Sequence, residues 1–114
     1  MTRIVLVVDD EPLVLEVIAA MLEDMGCEVV TAATATEALE KLAADRRITI
    51  LITDINMPGM SGYELAEAAS RDRRGLHVIV LSGRETDGHG FPIIRKPFAQ
   101  DDLRRTMQHT TGLC

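Results

Sequence analysis

The sequence predicts an α/β domain in which an open parallel sheet is covered by helices on both faces. Short aliphatic runs alternate along the chain with longer stretches in which apolar residues recur every three or four positions. The short runs are apolar at consecutive positions, as expected of strands that are buried on both faces. The 114 residues are enough for one such domain and contain neither an internal repeat nor a linker, so we expect a single domain over residues 1–114.

The first two strands flank an amphipathic helix. The first strand, Ile4–Val8, ends at two aspartates, and Pro12 suits the first turn of the helix that follows. Apolar residues recur at helical spacing from Leu13 to Met25, and Gly26 closes the helix. The second strand is predicted over Cys27–Ala32.

The middle of the chain repeats this alternation. Thr34–Glu37 has the spacing of a capping box and opens the second helix. Ile48–Ile52 is the third strand, and Ser61–Glu64 repeats the capping spacing at the start of the third helix. Val78–Leu81 and Pro92–Arg95 are the fourth and fifth strands.

The connection between the last two strands does not fit this alternation. Only nine residues, Gly83–Phe91, separate Ser82 from Pro92, and a crossover that includes a helix needs about 10–12. We therefore expect a loop or at most one helical turn there, in place of a fourth helix. The last helix is predicted from Gln100 to about His109.

Composition narrows the class of protein. The formal charge of −6 and the aromatic content of 3% argue against a nucleic-acid binder, which needs a basic face and stacking rings. Cys27 and Cys114 fit neither a disulfide framework nor a metal site. No apolar stretch reaches the roughly 18 residues that cross a bilayer. We expect a cytoplasmic protein that binds neither nucleic acid nor membrane.

Polar residues follow the predicted strands at the points where the strands end. Asp9 and Asp10 follow the first strand, Asp54 the third, Ser82 the fourth and Lys96 the fifth. Because the carboxyl ends of neighbouring parallel strands open on the same crevice, these side chains are expected to share one pocket.

This set of groups favours phosphoryl transfer. Three adjacent carboxylates repel one another, and Mg²⁺ relieves the repulsion while leaving room for a phosphate ligand. A carboxylate oxygen could then attack phosphorus, with Lys96 neutralising charge and Ser82 donating a hydrogen bond. Simpler roles stay open at this point: Asp9 and Asp10 as helix caps, Asp54 as a turn residue, and Lys96 as a solvated surface lysine.

Four segments of the sequence resemble the receiver domain of two-component response regulators. They are residues 8–12 (VDDEP), 53–62 (TDINMPGMSG), 81–83 (LSG) and 96–98 (KPF). The resemblance extends from about Arg3 to about His109. It implies a flavodoxin-like three-layer sandwich with strand order 2-1-3-4-5 and a cis bond between Lys96 and Pro97.

The resemblance also implies a role for each site residue. Asp54 would be the phosphoacceptor, Lys96 would pair with the phosphoryl group, and Ser82 would be the switching hydroxyl. Mg²⁺ would be held by the carboxylates of Asp10 and Asp54.

Two further residues complete the implied metal site. The backbone carbonyl of Asn56 would be a third Mg²⁺ ligand, and Asp9 would act mainly through water. The implied partners are a histidine kinase or a histidine phosphotransfer protein, and a downstream protein target. Without an output domain in these residues, we expect a signalling protein rather than an enzyme, and a monomer or weak dimer.

Three other functions stay open. One is a Mg²⁺-dependent phosphatase with an aspartate nucleophile, although Asn56 stands where such an enzyme generally has its acid. Another is a receiver that forms part of a hybrid histidine kinase. The third is an interaction module that works without phosphorylation, although such modules usually lose one of the site residues.

Two features depart from the family pattern. Ile93 occupies a position that is aromatic in that family, three residues before Lys96. The short Gly83–Phe91 connection removes most of the fourth helix. We expect phosphorylation to order this connection through Ser82.

Overall fold

The computed structural model describes residues 3–83 and 89–111. The strands are β1 (Ile4–Val8), β2 (Glu28–Ala32), β3 (Ile48–Asp54), β4 (His77–Ser82) and β5 (Ile93–Arg95), and the helices are α1 (Pro12–Asp24), α2 (Ala35–Ala44), α3 (Gly62–Asp72) and α4 (Gln100–Thr111). All neighbouring strands are parallel, in the order β2-β1-β3-β4-β5. The predicted sheet, its strand order and the flavodoxin-like class are confirmed.

The sheet separates two apolar layers. Alternate residues of β1 point to opposite faces: Leu6 and Val8 pack with α2 and α3, whereas Val5 and Val7 pack with α1 and α4. All four are fully buried, which explains why the strand is apolar at every position. Within the described ranges, none of the helices is long and apolar enough to cross a membrane.

Helix α1 is less buried than its apolar stripe predicts. Ile18 and Leu22 are buried against the sheet, but Leu13 is 74% exposed and Val17 54% exposed. A helix that packs against one sheet buries only one stripe of its surface, and the apolar positions of α1 are spread more widely than that stripe. The first half of α1 therefore presents apolar side chains to solvent.

The two predicted helix starts are built differently. Ser61 and Glu64 form a full capping box, in which each side chain accepts a hydrogen bond from the other residue's backbone N–H. The Thr34 hydroxyl accepts from the N–H of Glu37, but the Glu37 carboxylate accepts from Ala33 instead of Thr34. The start of α3 is thus fixed at both Ser61 and Glu64, shortly after the end of β3.

Several boundaries differ from the prediction. Strand β3 continues to Asp54 because Thr53 and Asp54 still pair with Val80 and Leu81 of β4. Strand β2 begins one residue later than predicted, strand β5 begins at Ile93, and helix α4 continues to Thr111. The extension of β3 places Asp54 inside the sheet rather than in the loop after it.

No helix lies between β4 and β5 in the residues that can be described there. Gly83 is a bend and residues 89–90 form a turn, which agrees with the predicted reduction of the fourth helix. His89 and Gly90 both have left-handed backbone angles, with φ of 51° and 90°. Residues 84–88, which belong to the connection that we expect phosphorylation to order, and Cys114 lie outside the described residues.

Candidate functional site

Three carboxylates meet at the carboxyl end of the sheet. Asp9 follows β1 and is fully buried, and Asp54 ends β3 with 8% of its surface exposed. Asp10 is exposed beside them, and one carboxylate oxygen from each of the three lies within 4.8 Å of the others. The predicted acidic cluster is therefore formed, although the three residues differ in burial.

Lys96 reaches into this cluster from the end of β5. Its Nζ atom lies 3.1 Å from Asp54 Oδ1 and 3.5 Å from Asp9 Oδ2. Its backbone N–H donates to the carbonyl of Ser82 at 2.7 Å, and the Lys96–Pro97 bond is cis, as expected. Lys96 is thus a half-buried partner of two carboxylates rather than a solvated surface lysine.

Burial and the neighbouring charges shift the pKa values of Asp54 and Lys96. Burial raises the pKa of Asp54, and the nearby Asp9 carboxylate raises it further, although the hydrogen bond from Lys96 opposes both. Burial lowers the pKa of Lys96, but the Asp54 and Asp9 carboxylates outweigh it, so the net shift is upward. The pKa of each group is thus raised, for different reasons. Lys96 faces two opposite charges, and these decide the direction of its shift. Asp54 faces one charge of each sign, so burial decides the direction of its shift.

The simpler roles describe only part of what the Asp9 and Asp54 side chains do. The residue that caps α1 is Glu11, and its side chain forms no capping bond. Asp9 Oδ1 accepts a hydrogen bond from the N–H of Glu11 at 2.9 Å, while Oδ2 faces Lys96. Asp54 Oδ1 accepts from Ile55 N–H at 3.0 Å as a turn residue would, but the same oxygen also contacts Lys96.

Ser82 and Asn56 lie at the same end of the sheet. Ser82 is the last residue of β4 and is buried. Because Asp54 pairs in register with Leu81, Ser82 lies one residue further along the neighbouring strand. Asn56 is exposed in the loop that follows Ile55.

Gly62 is a site residue that the spacing of residue types does not reveal. A Cβ atom at position 62 would lie 2.1 Å from the backbone oxygen of Asp54 and 2.7 Å from Cα of Ile55. The N–H of Gly62 donates to the carbonyl of Ile55 at 2.8 Å. A glycine directly after a capping serine, where most helices have a better helix former, is the sequence signal for this close approach.

The donor set fits a hard divalent cation. The three carboxylates offer oxygen atoms that already lie close together, and Lys96 neutralises only one of the three negative charges. Mg²⁺ takes oxygen ligands and usually one or two carboxylates, so Asp10 and Asp54 suffice, with room left for water.

An apolar groove of about 340 Å³ adjoins the cluster. The exposed side chains of Leu13 and Val17 form one wall, and Pro97 and Phe98 form the other. Lys96 lines both the groove and the acidic cluster, so the two features are continuous on the surface.

The sequence matches a family of known proteins over almost its whole length. The family described as response regulator receiver domain matches residues 5–108. The two-component response regulator ORR21 of rice is 35% identical over an aligned length of 114 positions, and the alignment covers 92% of this chain and 16% of ORR21. The chain therefore spans less than a fifth of the length of that relative.

Solved structures of receiver domains have the same fold, and the superpositions cover almost the whole of both chains. A response regulator receiver domain protein from Clostridium thermocellum superposes with a TM-score of 0.89 at 29% identity, covering 96% of this chain and 94% of that one. The response regulator TrrA from Thermotoga maritima, solved in complex with Mg²⁺-BeF, gives 0.87 at 29% identity, with 96% and 99% covered.

Proposed function

Since the chain belongs to the response regulator receiver domain family of two-component systems, we propose that Asp54 accepts a phosphoryl group from a histidine kinase or a histidine phosphotransfer protein. Phosphorylation then changes the conformation of the domain, and the new conformation modulates a downstream protein. One observation carries the assignment to Asp54: this buried carboxylate at the end of β3 has the ammonium of Lys96 at 3.1 Å and two further carboxylates beside it.

The reaction requires little of the protein beyond positioning and charge. A carboxylate oxygen of Asp54 attacks the phosphorus atom of a phosphohistidine. The new O–P bond forms as the P–N bond breaks, and the electron pair of that bond stays on the departing imidazole nitrogen. Lys96 lies where its charge stabilises the transferred group. Ser82 donates a hydrogen bond to a phosphoryl oxygen in this proposal, and its position one residue beyond Leu81, the partner of Asp54, supports that role.

We assign Mg²⁺ to the carboxylates of Asp10 and Asp54 and the backbone carbonyl of Asn56, with Asp9 acting mainly through water. When bound, Mg²⁺ supplies positive charge against the developing charge of the transferring group. Asp9 in turn holds Lys96 in place, because its Oδ2 atom lies 3.5 Å from Nζ. The Mg²⁺-BeF complex of TrrA, a protein of the same fold, supports Mg²⁺ as the cation.

The groove beside the site favours a protein rather than a small molecule as the phosphoryl donor. Leu13 and Val17 are exposed on α1, and the apolar groove that they line runs directly to Lys96. A donor protein that covered this groove would bury apolar surface while bringing its histidine to Asp54.

A labelling experiment tests the assignment. The protein is incubated with Mg²⁺ and a radiolabelled small phosphodonor such as acetyl phosphate, and the labelled residue is mapped by mass spectrometry. We expect at most one phosphoryl group per chain, on Asp54, and none in Asp54→Asn. The matched control is Asp45→Asn, which removes a half-buried aspartate that is paired with Arg47 at the other end of the sheet and should be labelled like the wild type.

Two results would overturn the proposal. Labelling of Asp54→Asn to the wild-type level would place the acceptor elsewhere. Sustained hydrolysis of small phosphate esters, with many turnovers per chain, would favour the phosphatase with an aspartate nucleophile.

A further inference from the structure

Tyr63 and His89 form a closely stacked pair of rings next to the site. Their centroids are 3.8 Å apart and their planes differ by 11°. Aromatic pairs more often have centroids about 4.5–7 Å apart, so this pair overlaps strongly. A gap of roughly 0.5–1 Å already removes a quarter to a half of the dispersion attraction between two atoms. The stack is therefore sensitive to small displacements between the segments that carry its rings.

The tyrosine side of the stack is tied to the phosphoacceptor. Tyr63 directly follows Gly62, whose N–H donates to the carbonyl of Ile55. Position 62 also approaches the backbone oxygen of Asp54 so closely that a Cβ atom there would lie 2.1 Å from it. A shift of the first turn of α3 relative to Asp54 would disturb the hydrogen bond between Gly62 and Ile55. We therefore expect the ring of Tyr63 to move together with the backbone of Asp54.

The histidine side of the stack belongs to the segment that joins Ser82, at the end of β4, to the strand that precedes Lys96. His89 belongs to the connection between β4 and β5, whose flanking backbone groups are fixed: the carbonyl of Ser82 accepts from Lys96, and that of Pro92 accepts from Val80. The φ of 51° at His89 lies in the left-handed region, which is uncommon for residues with a side chain, although histidine adopts it more often than most. The stack adds a side-chain contact that favours the observed position of His89.

The two phenylalanines pack against the apolar layers of the sheet. The chain has one tyrosine, two phenylalanines and no tryptophan. Phe91 packs against the apolar layer beneath α2 and α3, and Phe98 against the layer beneath α1 and α4. Tyr63 is the aromatic residue that pairs with a ring outside these layers.

We propose that the Tyr63–His89 stack is the contact through which the phosphorylation state of Asp54 is transmitted to the β4–β5 connection. The stack stabilises the position that His89 has in the unphosphorylated state. It is released when Ser82 and Lys96 are drawn towards a phosphoryl group and the connection takes up the ordered arrangement that we expect after phosphorylation. This inference rests on the proposed function, since it needs Asp54 to be the acceptor. Linkage is reciprocal, so removal of the stack must strengthen binding of a phosphoryl mimic.

The fluorescence of Tyr63 tests the inference directly, because no other tyrosine or tryptophan contributes. Mg²⁺ with beryllofluoride serves as the phosphoryl mimic, and its binding is followed independently by ¹⁹F NMR. We expect Tyr63 emission and anisotropy to change as the mimic binds. His89→Leu should abolish this change and lower the dissociation constant of the mimic by about two- to tenfold, which is the effect of one aromatic pair.

Three further variants complete the design. His109→Leu removes an exposed histidine near the end of α4, and it should behave like the wild type. Tyr63→Leu, made alone and combined with His89→Leu, closes a double-mutant cycle, in which the effects of the two substitutions on the dissociation constant of the mimic should be non-additive if the rings act as a pair.

Each outcome decides between the two proposals. If the mimic binds while Tyr63 emission and the His89→Leu dissociation constant both stay at wild-type values, the stack has no part in transmission and the proposed function stands alone. If neither beryllofluoride binding nor labelling of Asp54 is detected, the proposed function fails and the inference fails with it.

Discussion

At the carboxyl end of the sheet two of three clustered carboxylates share one ammonium group, whereas at the amino end one guanidinium group is shared by three carbonyl oxygens. Lys96 faces Asp54 and Asp9, with Asp10 close by. At the opposite end, Arg73 closes α3 and donates to the carbonyls of Leu42 at 2.9 Å, Arg46 at 2.9 Å and Ile48 at 2.6 Å.

The difference in charge balance shows that the carboxyl end of the sheet is built as a functional site and the amino end as a structural support. The carbonyls bound by Arg73 come from the end of α2, the loop after it and the start of β3, so one side chain joins three segments through its N–H donors. The carboxylates around Lys96 outnumber it, so like charges remain close together in a buried setting, which costs stability until a cation binds. Surplus charge of this kind marks a site of function rather than of folding.

Glycine substitutions at the two ends should have the largest and the most unequal effects. Gly62→Ala places a Cβ atom 2.1 Å from the backbone oxygen of Asp54, and we expect it to lower the free energy of unfolding by about 3 kcal/mol. Gly75→Ala is the matched control at the amino end, where a Cβ atom meets nothing within 4 Å and the change should stay within about 0.5 kcal/mol. Chemical denaturation measures both, and equal effects would show that the approach at Gly62 is not tight.

Arginine substitutions test whether the amino end acts as a support only. Arg73→Met leaves three carbonyl oxygens without their donor and should lower the free energy of unfolding by about 2 kcal/mol. Arg74→Met, at the exposed neighbouring residue, should change it by less than about 0.5 kcal/mol. Neither should alter Mg²⁺ affinity, measured by calorimetry. A large loss of affinity in Arg73→Met would contradict the separation of the two ends.

The sequence predicts the carboxyl end better than the amino end, for a physical reason. Asp9, Asp54 and Lys96 each follow a strand whose apolar run can be read directly, and the parallel sheet brings strand ends together whatever the loops do. The contacts of Arg73 span 25 to 31 residues along the chain, and no local pattern predicts them. The sequence therefore predicts which residues lie at the ends of the strands, but it does not predict which distant carbonyl groups a long side chain such as Arg73 contacts.

Two other features also needed the structure. The apolar stripe of α1 predicts a buried face, but which of its residues are buried depends on how the helix sits on the sheet, and Leu13 and Val17 are left exposed. The close approach of Gly62 to Asp54 depends on the path of the loop between β3 and α3. Both concern packing between elements rather than the elements themselves.

Binding of Mg²⁺ should offset the loss of stability that the excess negative charge of the three carboxylates causes. At a Mg²⁺ concentration ten times the dissociation constant, the wild type should gain about 1.4 kcal/mol in free energy of unfolding, because only the folded state gathers the ligands. The gain should be much smaller in Asp10→Asn and unchanged in Asp72→Asn, which alters an exposed aspartate at the amino end. Thermal unfolding with Mg²⁺ or EDTA measures this, and an equal gain in all three proteins would indicate unspecific binding.

The smallest effect is expected from Asp54 itself and depends on pH. Burial, reinforced by Asp9, raises the pKa of Asp54 above its value in the unfolded chain. As pH rises from 3 to 7, the unfolded carboxyl group therefore loses its proton before the folded one, and Asp54 lowers stability progressively. Asp54→Asn cannot ionise, so without Mg²⁺ it should equal the wild type near pH 3 and exceed it by about 1 kcal/mol at pH 7.

The difference between these two proteins isolates Asp54. Glu37, Asp45 and Asp102 have lowered pKa values because each accepts hydrogen bonds from backbone and side-chain donors, so they stabilise the fold as pH rises, but they are present in both proteins and cancel. Lys96 stays charged across this range because its pKa is raised. Urea unfolding from pH 3 to 7 in EDTA gives the two curves. If Asp54→Asn were the less stable protein at pH 7, the attraction of Lys96 would outweigh burial and Asp9, and the carboxyl end would be a support like the amino end.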